Sequence, residues 1–410
     1  AIQELRKIYE YAKQEKNVSQ MMKAHLTRAS LCIDITPDSL DSELSALKAW
    51  MEEEKDTVYQ AILNNLLGYY ILDTGKKDET AIDTAIAYFQ RSLQDKEMLF
   101  RKSAVDYRPM TNSKELSEKY CGDNMYQLLA RQAISRLSGY FIANPVSAEK
   151  IQNEILSIYD GLIDFYRQQG MTDARLLLML DKLHYKGNDV SRGGVNEKLR
   201  LTDEQVITLL KQWAEEFADS PLCGEVYCQL AERYDRMQDY TAKLKAAQTG
   251  LAKYPRSLSA NDLKEQIAEV LTPRLMVEIP FAYPGKDVDL KVKYRNLAGL
   301  TVELYRMNLP VTSPVLEREI NASTLSQYGK LVSSRHYDLA ATPDYKETDT
   351  LLRYKFPVEG IYVVKSIPDG HRKYTAYGKA YVSSLQAISL GLPDGKQEIN
   401  IVDRLTGHPV

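Results

Sequence analysis

Residues that could carry out chemistry are few and scattered in this chain of 410 residues. On a helix, two imidazoles turn toward one zinc ion when they are four residues apart, and no pair of its five histidines has that spacing. The histidines are His25, His184, His336, His371 and His408. We interpret each as a packed or exposed side chain and expect no metal ligand.

Motifs that bind phosphate or position a nucleophile are not found in the sequence. Arg192-Gly193-Gly194 lacks the Lys-Ser/Thr that completes a phosphate-binding loop. No Gly-x-Ser-x-Gly nucleophile elbow occurs. Neighbouring acids such as Glu215-Glu216 fall in charged helical windows, where a solvated face is the ordinary interpretation. We therefore expect no catalytic residue, no cofactor-binding residue, no cofactor and no enzymatic activity.

Composition is that of an ordinary globular protein, with 44% apolar and 27% charged residues and a formal charge of −3. This charge gives no overall basic field, so we expect no nucleic-acid partner. No apolar run approaches the roughly 20 residues that span a bilayer. The chain starts at Ala1 rather than at a methionine, which fits removal of a leader. Residues 397–410 start a strand and a turn, so we expect the sequence to be a fragment of a longer protein.

The elements that must position any site change character near Pro273. Before it, apolar residues recur every three or four positions, as Ile151, Ile155, Ile158 and Leu162 do, which predicts helices. Residues 224–257 follow the large and small rhythm of a tetratricopeptide-like hairpin, and residues 59–94 form a weaker copy. Helix starts are predicted at Thr36-Pro37-Asp38 and Thr202-Asp203-Glu204, and a loop at residues 186–198.

After Pro273 the apolar period is two, which is typical of strands with one buried face. Residues 308–327 carry Pro310 and Pro314 and are not predicted as strand. Seven strands separated by turn residues predict an antiparallel sandwich. They span residues 275–279, 287–294, 300–306, 330–339, 350–358, 361–367 and 373–385.

Cysteine and tyrosine usage each leave two interpretations. The four cysteines (Cys32, Cys121, Cys223 and Cys228) are too few for a disulfide-stapled domain, and buried free thiols are the main interpretation. Tyrosine is unusually frequent, 28 residues against 7 phenylalanines. The tyrosines either form a binding surface or, more often at such spacings, pack their rings and expose the hydroxyl group to water. The relevant residues are Tyr69, Tyr70, Tyr354, Tyr362, Tyr374, Tyr377 and Tyr381.

The C-terminal segment INIVDRLTGHPV (residues 399–410) resembles the VVDxxTGxPVxGA opening of a macroglobulin-type β-sandwich. The stretch from Tyr283-Pro284-Gly285 through Tyr294-Arg295-Asn296 to Leu304-Tyr305-Arg306 is similar to the first such sandwich of bacterial alpha-2-macroglobulin family proteins. Val358-Glu359-Gly360-Ile361-Tyr362-Val363 fits a strand entry of these modules. Members from the Bacteroides lineage also place helices before the first sandwich.

The resemblance implies a fold and an organisation. The fold class is an N-terminal helical-hairpin, tetratricopeptide-like array followed by an antiparallel macroglobulin-like β-sandwich. Residues 1–272 would be the helical domain, residues 275–390 the sandwich, and residues 396–410 the first strand and turn of a following sandwich. The full-length protein would be exported, periplasmic or at the cell surface, and would touch a membrane only through a lipid anchor before Ala1.

The family also implies a function, which is to trap proteases. A protease cuts a bait segment, the sandwiches close around it, and in many members an internal Cys-Gln thioester captures it. Cys223-Gly224-Glu225-Val226 begins like the thioester sequence CGEQ, but Val226 has no acyl group to offer, so we interpret Cys223 as a core thiol. This chain would act as a spacer or dock an envelope protein on its helices. The alternative is a helical-repeat scaffold with an appended sandwich for surface glycan, peptide or protein capture.

Overall fold

The computed structural model describes residues 1–35, 40–73, 79–107, 118–139, 145–187, 201–393 and 395–410. Within these ranges, fourteen α-helices precede nine β-strands, and one further helix lies among the strands. The predicted order of helices followed by antiparallel strands is therefore confirmed. None of the described helices is long and apolar enough to cross a bilayer.

The helices are short to medium in length. They are α1 (Ile2–Gln14), α2 (Val18–Ile35), α3 (Leu40–Glu53), α4 (Thr57–Asp73), α5 (Glu79–Ser92), α6 (Lys96–Phe100), α7 (Glu118–Cys121), α8 (Met125–Gly139), α9 (Pro145–Gln168), α10 (Thr172–Gly187), α11 (Asp203–Glu216), α12 (Cys223–Arg236), α13 (Tyr240–Lys253) and α14 (Ala260–Leu271).

Residue contacts divide the chain into two units. The first holds residues 1–229 and 252–260, and the second holds residues 230–251 and 261–410. Part of the predicted helical domain therefore groups with the strands. In the first unit the apolar faces of α1 to α10 form one core, which includes Leu63, Phe89, Leu162 and Phe165.

Both predicted helix pairs are present. Residues 59–94 contain α4 and α5, which meet where Gly68 faces the Phe89 ring; a Cβ on Gly68 would lie 2.9 Å from Phe89 Cε1. Residues 224–257 contain α12 and α13. A tetratricopeptide-like repeat stays a prediction, as does the turn at residues 75–78, which lies outside the described residues.

The predicted cap at Thr202 is confirmed as a capping box. Thr202 Oγ1 accepts a hydrogen bond from Gln205 N, and Thr202 N donates to Gln205 Oε1. The predicted loop over residues 186–198 is wrong at its start, because α10 continues through Gly187. Its remainder and the predicted cap at Thr36-Pro37-Asp38 lie outside the described residues.

The strands form two antiparallel sheets and a separate hairpin. The strands are β1 (Arg274–Glu278), β2 (Asp287–Arg295), β3 (Gly299–Met307), β4 (Gly329–Asp338), β5 (Thr348–Lys355), β6 (Gly360–Pro368), β7 (Ala376–Val382), β8 (Leu385–Gly391) and β9 (Gln397–Asp403). One sheet has the order β1-β2-β5, the second β4-β3-β6-β7, and the hairpin consists of β8 and β9.

The two larger sheets pack face to face over one core. Leu290, Val292 and Tyr354 of the first sheet cluster with Leu304 and Val364 of the second. This arrangement is the predicted sandwich, and its strands lie within a few residues of the predicted ones. One prediction is wrong, since residues 373–385 contain β7 and the start of β8 instead of one strand.

Residues between β3 and β4 cover the outer face of the second sheet. Helix α15 (Ala322–Tyr328) places Leu325 in a small cluster with Leu316, Ile361 and Val363. Strand β6 is thereby buried on both faces, with Tyr362 on the sandwich side and Val363 on the other. The prediction that residues 308–327 contain no strand is confirmed.

Candidate functional site

The histidines do not assemble a metal centre in the described part of the chain, where no group of three potential ligands occurs. His25 is 2% exposed and lies in a buried cluster with Arg28 and Glu43. Burial, followed by the Arg28 charge, lowers the pKa of His25 to about 4, so it is neutral at pH 7. His336 pairs instead with Asp369 at the surface, at 2.7 Å.

The cysteines Cys121, Cys223 and Cys228 are buried free thiols, as predicted. Burial raises the pKa of Cys121 to about 11 and also raises that of Cys223. Every residue in the thioester-like stretch has a packing role. Gly224 lies against Ser257, Glu225 accepts a hydrogen bond from Ser259 N, and Val226 is fully buried. These contacts favour the interpretation of Cys223 as a core thiol.

The tyrosines mostly pack. Tyr354 and Tyr362 lie in the sandwich core, and the Tyr362 hydroxyl donates to the Val358 carbonyl at 2.9 Å. Tyr70 is buried beside exposed Tyr69, Tyr374 and Tyr377 are half-buried, and Tyr381 is exposed. In the described helices, Tyr11 and Tyr69 are the exposed aromatic side chains. The described helices therefore present no face lined with aromatic residues.

A charged cavity of about 410 Å³ lies in the second unit, where the ends of several elements converge. The elements are α12, α13 and α14, the first residue of β1, the last of β2 and the segment before β5. Its lining is almost wholly polar and consists of Asp235, Gln238, Tyr240, Lys243, Glu269, Val270, Arg274, Arg295, Lys346 and Glu347.

Lys243 is the buried ammonium of this cavity. It is 2% exposed, and its Nζ lies 2.7 Å from Asp235 Oδ1 and 2.7 Å from Glu269 Oε2. Burial alone would lower the pKa of Lys243, but the two carboxylate hydrogen bonds outweigh it and raise that pKa. Lys243 is therefore charged and fully paired, and it joins α12, α13 and α14.

Arg295 is the buried guanidinium. It is 4% exposed, and its Nη2 donates to the carbonyl of Glu269 at 2.6 Å. No carboxylate of the described residues forms an ion pair with it, and its Nε has no hydrogen-bond partner. Burial and the neighbouring Arg274 charge lower the pKa of Arg295. Arg274 lies directly opposite Arg295 in the β1–β2 ladder and pairs with Glu347 at 3.0 Å.

The end of β2 also holds the end of α14. Asn296 has a left-handed backbone, with φ of 56°, and its Nδ2 donates to the Val270 carbonyl at 2.7 Å. Together with Arg295, it satisfies carbonyls that the last turn of α14 leaves free. We call Arg295 and Asn296 the helix clamp. Sequence patterns did not reveal it, because its partners lie on another element.

Comparisons with known proteins give weak structural likeness only. No protein-family model and no curated protein matches the chain. Native alpha-2-macroglobulin from Escherichia coli, in a structure of domains MG0-NIE-MG1, matches 34% of this chain at 18% identity with a TM-score of 0.28. The match spans 47% of that structure, so the chain covers about half of its length.

Two other solved structures are similar at the same low level. A structure of Escherichia coli alpha-2-macroglobulin domains NIE-MG1 matches 34% of this chain and 74% of its own at 14% identity, with a TM-score of 0.25. The N-terminal part of the bacterial S-layer protein SbsC matches 86% of this chain and 87% of its own at 12% identity, with a TM-score of 0.19. The chain thus has weak, partial structural similarity to bacterial alpha-2-macroglobulin domains.

Proposed function

We propose that this chain is the non-catalytic N-terminal portion of an exported alpha-2-macroglobulin-like protease trap of the Bacteroides type. One observation carries the proposal. The hairpin β8–β9, whose second strand contains the first five residues of the VVDxxTGxPV-like segment, pairs with neither sheet of the sandwich. The sequence resemblance implies a following sandwich whose first strand and turn are residues 396–410, which contain β9.

The side chains of the hairpin support a further covering layer. Leu385 and Ile401 lie on one face of the ribbon and Ile388 and Leu390 on the other, and all four are exposed. Two-stranded ribbons are marginally stable in water unless a face is covered. The ribbon is tied to the sandwich by polar contacts, such as that of Tyr283 Oη with Asp403 Oδ2 at 3.2 Å. Neighbouring strands of the same kind would bury its apolar faces.

A spacer or docking role fits the described helices better than capture by aromatic residues. The exposed aromatic side chains Tyr11 and Tyr69 lie on separate helices, α1 and α4. The helix clamp holds α14 to the sandwich through hydrogen bonds, which would keep a spacer stiff at that point. An envelope protein docked on the helices is the partner we propose for this region.

The trap function is tested by mixing the full-length protein with a broad-specificity serine protease and, as control, the same protease with its nucleophile chemically blocked. The active protease should cleave the protein, reduce its hydrodynamic radius and co-elute with it on size exclusion. The blocked protease should do none of these. Cleavage without compaction or retention would remove the trap from consideration and leave the fold unaffected.

A further inference from the structure

We infer that the charged cavity of the second unit binds a compact oxyanion, a carboxylate or a phosphate group. Its lining contains four cationic side chains and three anionic ones. The cations are Lys243, Arg274, Arg295 and Lys346, and the anions are Asp235, Glu269 and Glu347. The excess positive charge is the first reason to expect an anion.

The second reason is the way these charges are already paired. Lys243 is matched by two carboxylates at 2.7 Å each, and Arg274 is matched by Glu347. Arg295 forms no ion pair with a carboxylate in the described chain, although it is the more buried of the two arginines. A buried charge without a counterion is costly, and most buried charges in proteins are paired. A bound anion would supply the missing counterion.

Geometry supplies the third reason. Residues directly opposite in an antiparallel ladder have Cβ atoms roughly 5 Å apart, and like charges there repel. Arg274 and Arg295 occupy such a pair, so one oxyanion would lie within reach of both guanidinium groups. The buried Nε of Arg295 has no hydrogen-bond partner, and guanidinium groups bind oxyanions in a bidentate way. An anion between the two arginines would therefore offset their repulsion.

The competing explanation is that Arg295 only caps α14. Capping accounts for its Nη2, which donates to the Glu269 carbonyl. It does not account for the partnerless Nε or for a second arginine at the facing position. The cavity volume of about 410 Å³ is within the range of small-molecule sites, roughly 300–1,000 Å³. Phosphate or a short carboxylate-bearing molecule would fit.

The test is calorimetric titration of the 410-residue chain in low-chloride buffer with two probes, inorganic phosphate and N-acetylglycine. At least one probe should bind saturably with one site per chain. Arg274→Gln should weaken that binding at least tenfold, since it removes a charge-assisted hydrogen bond to the anion. Lys293→Gln is the matched control. It also removes one positive charge, from the neighbouring strand β2, at a residue that does not line the cavity.

Each outcome decides something. Binding of phosphate alone supports the site with a phosphate ligand, and binding of N-acetylglycine alone supports it with a carboxylate ligand. Saturable binding by neither probe would overturn the inference, as would an equal loss in the Arg274 and Lys293 variants. Thermal unfolding of both variants verifies that they fold. The result is independent of protease trapping.

Discussion

The contact of Gly224 with Ser257 predicts that Gly224→Ala destabilises the first unit, although alanine is the better helix former. Gly224 lies in the first turn of α12. A Cβ added there would lie 2.3 Å from Ser257 Oγ and 2.4 Å from Ser257 Cβ, well inside van der Waals contact. The helix and the segment after α13 would have to separate to accept the methyl group.

The expected magnitude follows from two opposing effects. Overpacking of a tight site costs about 1–3 kcal/mol. Replacing glycine by alanine in a helix returns at most about 1 kcal/mol, and less in the first turn. We expect Gly224→Ala to lower the free energy of unfolding by about 1–2 kcal/mol.

A second substitution isolates the contact. Ser257→Gly removes both clashing atoms, and the hydroxyl it deletes makes no hydrogen bond. In that background Gly224→Ala should be nearly neutral, within about 0.5 kcal/mol, because the next nearest atom, Tyr254 Cβ, lies at 3.2 Å. Ser257→Ala is the matched control: it keeps the Cβ and should give no rescue.

Urea unfolding followed by tryptophan fluorescence measures these differences in the first unit. Both tryptophans, Trp50 and Trp213, belong to that unit. If Gly224→Ala raises the stability of the wild-type background, or if Ser257→Ala rescues it as well as Ser257→Gly does, the reasoning is refuted.

Two further predictions concern buried titratable side chains. Lys243→Met keeps the packed stem but removes the ammonium that pairs with two half-exposed carboxylates, so it should lower the free energy of unfolding by about 2 kcal/mol at pH 7, measured by urea unfolding. An unchanged free energy of unfolding would contradict this. The pKa of His25 is about 4 in the folded protein and about 6.5 in the unfolded chain. The unfolded chain therefore binds a proton at His25 more readily, and the free energy of unfolding falls by roughly 3 kcal/mol as the pH drops from above 6.5 to 4. The His25→Gln variant should lose that part of the pH dependence. If its free energy of unfolding depends on pH in the same way as that of the wild-type chain, the prediction is refuted.

The sequence predicts the strands well because apolar and polar residues alternate along a strand that has one buried face. Residues 287–294 read as a half-buried strand, and β2 spans nearly the same residues. The division between β7 and β8 was missed because Val382-Ser383-Ser384-Leu385 contains neither glycine nor proline to mark a break. The pair Ser383-Ser384 is the local sign of the division, and serine marks a turn more weakly than glycine or proline does.

The helix clamp and the cavity depend on contacts between distant segments, which alternation cannot predict. Val292 and Tyr294 point into the sandwich, so Arg295 falls on the outward side, where water would be expected. It is buried because α14 ends against that side of β2. In the same way, β6 is buried on both faces because residues 308–328 fold over it.

The helix clamp has a mechanical consequence. Where α14 meets the sandwich, a pulling force on the helix is carried by the covalent link through Thr272 and Pro273 and also by hydrogen bonds from Arg295 and Asn296 to the last carbonyls. Bonds that share a load must break together, so the connection resists bending until a threshold and then gives way abruptly. The junction would therefore be rigid under small forces and would open cooperatively under a large one.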